Sequence, residues 1–100
     1  MMRMVPLSVA GHTVIGVEVK LPKTTLLAVA TERGYIMCGA LDVQLLNERL
    51  KERGIIAGRA VGVRTLEELM AAPLESVTIE AEKIGVTPGM SGAEAIAKMI

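Results

Sequence analysis

The chain has 100 residues, which is within the usual range for one domain, so we treat residues 1–100 as a single domain. Eleven basic side chains balance eleven acidic ones, and Tyr35 is the only aromatic residue. A chain without a basic excess or aromatic stacking faces is a poor candidate for nucleic-acid binding. With one cysteine and no apolar run of about 18 residues, the sequence predicts a cytoplasmic protein without a disulfide or a membrane span.

The first half of the chain predicts four β-strands, bounded by turns that contain glycine or proline. They span residues 5–9, 14–21, 25–31 and 35–40. His12 falls in the predicted turn between the first two strands. In the second strand, apolar residues alternate with Gly16, Glu18 and Lys20, and this period of two predicts that the apolar side faces a core. The residues on that side are Ile15, Val17, Val19 and Leu21.

The second half of the chain predicts helices. Asp42 is the predicted N-cap of a helix that ends near Gly54, and residues 55–63 then predict another strand, which favours a parallel crossover. Further helices are predicted over residues 65–73, 74–84 and 91–100, the first and last opened by capping boxes. We therefore predict an α+β fold with a β-rich N-terminal half and a helix-rich C-terminal half.

The N-terminal half offers more apolar surface than the predicted helices can cover. In several places residues 14–31 carry apolar side chains on both faces of the predicted strands. A few short helices can cover only one face of a sheet. Apolar patches beyond about 400 Å² are unusual on monomers, and a stable contact buries about 800 Å² per subunit. We therefore predict that the hairpin region, residues 1–34, joins copies of the chain into a homo-oligomer.

Several short strings in the sequence match one protein family in that family's own order. They are KLPKT at residues 20–24, GYIMCGALD at 34–42, LLNE at 45–48, GRAVGVRT at 58–65, APLES at 72–76 and GMSG at 89–92. The chain thus resembles the YunC-like proteins, a bacterial and archaeal family of unknown function, over nearly its whole length. The resemblance implies a two-layer α/β sandwich and a tetramer formed through the N-terminal β region. It implies no reaction.

Cys38 is the sharpest candidate for chemistry. It ends a predicted strand four residues before Asp42, where a helix dipole favours the thiolate and an acidic residue can join a site. Against this, free cysteines are among the most buried residue types, and capping explains Asp42. The only histidine that could act as a base, His12, lies in a predicted turn. Cys38 and Asp42 are therefore either catalytic residues, or a structural thiol and a helix-capping carboxylate.

Arg59 and Arg64 flank a glycine-containing segment that leads into the helix start at Thr65. Guanidinium groups and free helix N-terminal amides favour carboxylate or phosphate, so these residues predict binding of a small anionic metabolite. A spacing of five places the two arginines on opposite strand faces, so they converge only if the strand contains a bulge. Lys23, in the turn after Pro22, can serve similarly. The alternatives are salt bridges for the arginines and a solvated turn for Lys23.

The sequence predicts neither a metal site nor a cofactor. One histidine and one cysteine are too few ligands for zinc, and residues 89–92 lack the phosphate-loop pattern. Two functions remain open. The favoured one is a noncatalytic homo-oligomer that binds a small anion, and the alternative is a small enzyme that uses Cys38 as its nucleophile.

Overall fold

A computed structural model of the chain describes residues 1–39 and 53–100. These residues form a six-stranded mixed sheet and three helices. The strands are β1 (Met2–Val9), β2 (His12–Leu21), β3 (Thr24–Ala30), β4 (Gly34–Met37), β5 (Ile56–Arg59) and β6 (Ser76–Val77). The helices are α1 (Leu66–Ala71), α2 (Ile79–Lys83) and α3 (Gly92–Met99). This order confirms the predicted α+β class, with strands in the first half and helices in the second.

The first hairpin is tighter than predicted. Ala10 and Gly11 alone connect β1 and β2, with φ angles of 51° and 80°. Positive φ at both central residues is the requirement of a type I′ turn, whose twist matches that of a two-stranded hairpin. His12 therefore lies in β2, paired with Val9, and the prediction that it belongs to the turn is wrong.

The strands beyond the hairpin include one parallel pair. β4 and β5 are parallel neighbours, which confirms the predicted crossover, and the other neighbouring pairs of the described sheet are antiparallel. The helix predicted from Asp42 falls mostly on residues 40–52, outside the described residues. Gly54, at φ 61°, has the left-handed conformation predicted for the residue that follows that helix.

The helix predicted over residues 74–84 is wrong in its first part, because Ser76–Val77 form β6 and α2 begins only at Ile79. Thr78 lies between them and is 2% exposed. Its Oγ1 accepts hydrogen bonds from the backbone N–H of Ala57 at 3.1 Å and of Ala81 at 3.2 Å. One hydroxyl thus caps α2 and ties it to β5. The β-branched residues of this segment favour the extended conformation over a continuous helix.

Side chains from all three helices join one core cluster with the strands, so the described residues form two layers. The largest fully buried apolar side chains of this core are Leu27, Val29, Ile36, Leu69, Val86, Ile96 and Met99. Aliphatic side chains and methionine therefore build this core, in a sequence whose only aromatic residue is Tyr35. The longest described helix has eight residues. No helix among the described residues is long and apolar enough to cross a membrane.

The predicted alternation along β2 is present, but the predicted core side faces away from the described helices. Val14 and Gly16 are the buried residues of β2. An ideal Cβ at Gly16 would lie 2.9 Å from Leu66 Cδ1, so the glycine lets α1 approach the sheet. The prediction that the opposite side of β2 faces the core is therefore wrong. The apolar residues on that opposite side are Ile15, Val17, Val19 and Leu21.

We call the side of β1, β2 and β3 opposite the described helices the outer face. Its members include Met2, Met4, Pro6, Ser8, Thr13, Ile15, Val17, Val19, Leu21, Thr24, Ala28 and Ala30. The strand register places no charged residue on this side of the three strands. Met2 and Met4 are 66% and 63% exposed, and Leu21 is 47% exposed. The described residues thus include a broad uncharged surface with exposed apolar side chains.

Candidate functional site

A cleft of about 520 Å³ opens between the β2–β3 turn and the segment that precedes α1. It is lined by Lys20, Leu21, Lys23, Thr24, Thr25, Val63 and Arg64. We call this the basic cleft, because its lining contains three cationic side chains and no carboxylate. Two threonine hydroxyls can add hydrogen-bond donors beside the cations.

A tight turn brings both lysines of the basic cleft to one end of the sheet. Pro22 and Lys23 form the turn, and Leu21 pairs with Thr24 across it. Lys23 has a φ of 66°, the left-handed conformation that a type II turn needs at its second central position. Glycine adopts this conformation at lower cost than any residue with a Cβ. The chain therefore presents a lysine where the backbone favours glycine.

The three cations of the basic cleft form no ion pair with another described side chain. The ion pairs among the described residues are Arg3 with Glu18, Arg59 with Glu75 and Lys83 with Glu80. The side chains of Lys20, Lys23 and Arg64 thus bring three like charges to one cleft, and none of them is paired with a carboxylate of the described residues. An anion that contacts all three would neutralise this like charge and form charge-assisted hydrogen bonds.

Thr65 serves as the cap of α1. Its Oγ1 accepts the backbone N–H of Glu68 at 3.0 Å, and Glu68 Oε1 accepts the backbone N–H of Arg64 at 2.6 Å. These bonds form a capping box in which the carboxylate reaches the residue before the cap. Two amides at this helix start are thus already bonded within the chain. We therefore place the anion against the cationic side chains and assign it no contact with the start of the six-residue α1.

Arg59 does not line the basic cleft. Its Nη1 donates to Glu75 Oε1 at 3.0 Å, and its Nη2 donates to the Gly39 carbonyl oxygen at 3.1 Å. Its buried Nε has no hydrogen-bond partner among the described residues. Arg59 and Arg64 thus do not line one cleft, and Arg59 forms the intramolecular salt bridge that was its alternative. The structure instead brings Lys23 and Arg64 together.

Lys20 is the cationic cleft residue that the sequence analysis did not predict. It pairs with Thr25 across the β2–β3 hairpin, and both residues line the cleft. A two-residue turn at Pro22 and Lys23 would have implied this pairing from the sequence. The position of Arg64 had no such signal, because the packing of its segment beside the turn is a tertiary contact.

Cys38 is a buried thiol with a structural contact. It is 8% exposed, and its Sγ accepts the backbone N–H of Leu27 at 3.4 Å. The Cys38 N–H donates to the Leu27 carbonyl oxygen at 3.1 Å. Because β4 ends at Met37, the sulfur occupies the place of the acceptor that a longer strand pair would supply to Leu27.

The structure does not bring Cys38 to the candidate base. Cys38 is hydrogen-bonded to Leu27, and Leu27 pairs with Glu18 on β2. Glu18 lies six residues along β2 from His12. Six strand residues span about 20 Å, which is far beyond hydrogen-bond reach. Asp42, the other predicted member of the catalytic pair, lies outside the described residues. No cluster of three or more His, Cys, Asp or Glu residues that could hold a metal occurs within residues 1–39 and 53–100.

We expect Cys38→Ala to lower the free energy of unfolding by about 1 to 3 kcal/mol, because it leaves the buried Leu27 N–H without its acceptor. Cys38→Ser retains an acceptor and should cost less. Urea unfolding of the three proteins provides the comparison. Rapid thiol labelling of native Cys38, with unchanged stability in both variants, would contradict this structural role.

Comparison with known proteins finds relatives over the whole chain. Residues 37–99 match a family described as a domain of unknown function, DUF1805. Uncharacterized protein YunC of Bacillus subtilis (strain 168) is 61% identical over 100 residues, which are 100% of this chain and 99% of that protein. The crystal structure of a protein of unknown function, TA1206 from Thermoplasma acidophilum, has a TM-score of 0.89 and 30% identity, covering 100% of this chain and 94% of the other. None of these descriptions names a ligand, a reaction or a partner.

Proposed function

Because the chain belongs to the YunC-like DUF1805 family, whose description names no activity, we propose a function from the basic cleft: the protein binds a small anionic metabolite there. One observation carries the proposal. Lys20, Lys23 and Arg64 line one cleft and have no ion-pair partner among the described residues. The cleft volume of about 520 Å³ is within the range of small-molecule sites.

The three cations differ in what they offer an anion. Arg64 supplies a planar fork of N–H donors that suits two oxygens of a phosphate or carboxylate, whereas Lys20 and Lys23 supply compact charges. The hydroxyls of Thr24 and Thr25 can donate to further oxygens. This combination favours a phosphate or carboxylate group over a neutral polar one.

Isothermal titration with methyl phosphate tests the proposal. Removing one charged hydrogen-bond partner costs about 1.5 to 3 kcal/mol, so Arg64→Met and Lys20→Met should each weaken binding about tenfold or more. Lys98→Met, which removes a positive charge outside the cleft lining, is the matched control and should bind as the unmodified protein does. No saturable binding, or an equal loss in the control, would refute the basic cleft as the site.

Lys23→Gly should separate binding from stability. Glycine removes the charge and also relieves the left-handed backbone at φ 66°, so anion affinity should fall while the free energy of unfolding stays equal or rises by about 1 kcal/mol. Titration and urea unfolding of the same variant measure the two effects. Lower stability with unchanged affinity would show that Lys23 serves the turn alone.

We also propose that the protein is a noncatalytic homo-oligomer joined through the outer face. The support is physical: this surface lacks charge, and Met2, Met4 and Leu21 are exposed on it. Covering about 800 Å² per subunit would remove these side chains from water. A tetramer is the assembly that the family resemblance implies. A cytoplasmic location, where the buried Cys38 stays reduced, is part of the same proposal.

The open edge of β1 is less suited to this contact than the outer face. Met1 and Lys20 exchange two backbone hydrogen bonds, of 2.8 and 3.4 Å. The alternation of an antiparallel pair then directs the backbone groups of Met2, Met4, Pro6 and Ser8 to the open edge. Pro6 has no N–H and interrupts the row of donors that another strand would need. Face-to-face packing is therefore the mode that we propose.

A further inference from the structure

A second cleft, of about 530 Å³, lies between α1 and the helix-facing side of β1 and β2. Its walls are mainly apolar and include Val5, Leu7, Leu66 and Met70. Three of these, Val5, Leu7 and Met70, are only half-buried although they pack against the core cluster. We call this the apolar cleft, and it leaves hydrocarbon surface in contact with water beside α1.

The apolar cleft and the basic cleft are neighbours, and together we call them the groove. Arg64 lines the basic cleft, and the next residue, Thr65, lines the apolar cleft. On β2, Lys20 lines the basic cleft, and Glu18, two residues away on the same strand face, lines the apolar cleft. Such neighbours lie about 7 Å apart. A smaller depression, lined by Met1, Arg3, Glu18 and Lys20, shares Arg3 and Glu18 with the apolar cleft and Lys20 with the basic cleft.

Charge is distributed unevenly along this groove. At its middle, Glu18 is paired with Arg3 at 3.7 Å, so the pair carries no net charge. At one end lie the unpaired cations of the basic cleft, and at the other the apolar walls, with Glu67 as the remaining charged residue of the lining. A ligand that matches this pattern has its negative charge at one end only.

We infer that the ligand of the basic cleft is amphipathic: an anionic group joined to an apolar body of a few carbon atoms that lies in the apolar cleft. This inference rests on the proposed function and deepens it by naming the ligand class. The anionic group contacts Lys20, Lys23 and Arg64, while the carbon body covers Leu7 and Met70. Burial of each methylene strengthens binding about fourfold.

Titration of methyl, propyl and hexyl phosphate into the full chain tests this inference. Affinity should rise with chain length, by about fourfold per methylene for carbons that reach the apolar cleft. Met70→Gln keeps the length of the side chain but makes its end polar, so it should flatten this increase. Met90→Gln makes the same change at a methionine that also packs half-buried against the core cluster but lines neither cleft, and it should alter neither this increase nor methyl phosphate binding. If Met70→Gln fails to fold, Leu7→Thr takes its place.

The outcomes separate this inference from the proposed function. Binding of methyl phosphate without any gain from propyl or hexyl chains would overturn the amphipathic ligand and leave the anion site standing. A gain that persists in Met70→Gln or Leu7→Thr would also overturn the inference, because the chain would then lie elsewhere. Unchanged affinity of hexyl phosphate for Arg64→Met would overturn the inference as well, because the anionic group would then not anchor the ligand in the basic cleft. Failure of all three phosphates to bind would refute the proposed function itself.

Discussion

Gly92→Ala is expected to lower the free energy of unfolding by about 3 kcal/mol, because α3 begins in direct contact with α1. A Cβ at Gly92 would overlap the Leu69 carbonyl oxygen and lie 3.0 Å from Met70 Cα and 2.8 Å from Ile36 Cδ1. Two of these atoms belong to the backbone, so no side-chain rotation relieves the overlap. The Gly92 N–H also donates to the Ala72 carbonyl oxygen at 3.2 Å, and moving α3 away would break this bond.

Gly39→Ala is the matched control for this substitution. Among the described residues, the nearest neighbours of a Cβ at Gly39 would lie at 3.7 Å, an ordinary van der Waals distance, so the effect of Gly39→Ala should stay within about 0.5 kcal/mol. Urea unfolding monitored by circular dichroism compares the two variants. Similar stability losses in both would show that close packing between α1 and α3 is not what Gly92 provides.

Val17→Asp is expected to dissociate the proposed homo-oligomer while the subunit remains folded. Val17 lies in the middle of the outer face, paired with Met4 on β1 and Ala28 on β3. A carboxylate buried there against apolar side chains costs several kcal/mol, so the dissociation constant should rise by about a hundredfold or more. Light scattering after size exclusion at micromolar concentration measures the mass, and circular dichroism reports the fold.

Glu32→Lys changes the charge at an exposed residue beyond the end of β3 and serves as the control, with an unchanged mass expected. A mass near one 10.6 kDa chain for the unmodified protein would refute the assembly. If Val17→Asp instead loses its secondary structure together with its assembly, Val17 belongs to the subunit's own core and the interface lies elsewhere.

Local hydrogen bonding explains which helices could be predicted from sequence. The caps of α1 and α3 join residues three apart: Thr65 accepts from the Glu68 N–H at 3.0 Å and Ser91 from the Glu94 N–H at 3.2 Å. Both were predictable because the bonding partners are near neighbours in the chain. Thr78 also caps a helix, but its second bond, to Ala57, crosses 21 positions. That bond has no local signal, so the strand and short helix around Thr78 were predicted as one helix.

The orientation of β2 shows the other limit of sequence reasoning. A period of two identifies which residues share a face, but both faces of β2 carry apolar residues, such as Val14 and Ile15. Which face meets the helices is decided by tertiary packing, here by Leu66 over Gly16. The candidate site shares this limit. Lys23 and Arg64 are 41 positions apart, and only the folded chain places them in one cleft with Lys20.

A titration of the ¹⁵N-labelled protein with methyl phosphate, followed by ¹H–¹⁵N NMR, tests the central claim most directly. Anion binding in the basic cleft predicts saturable shifts of amide signals from residues 20–25, Pro22 excepted, and from Val63 and Arg64. The amides of Arg59 and Glu75, whose side chains pair with each other outside the cleft, should not move. The absence of saturable shifts, or the largest shifts at Arg59 and Glu75, would contradict the claim.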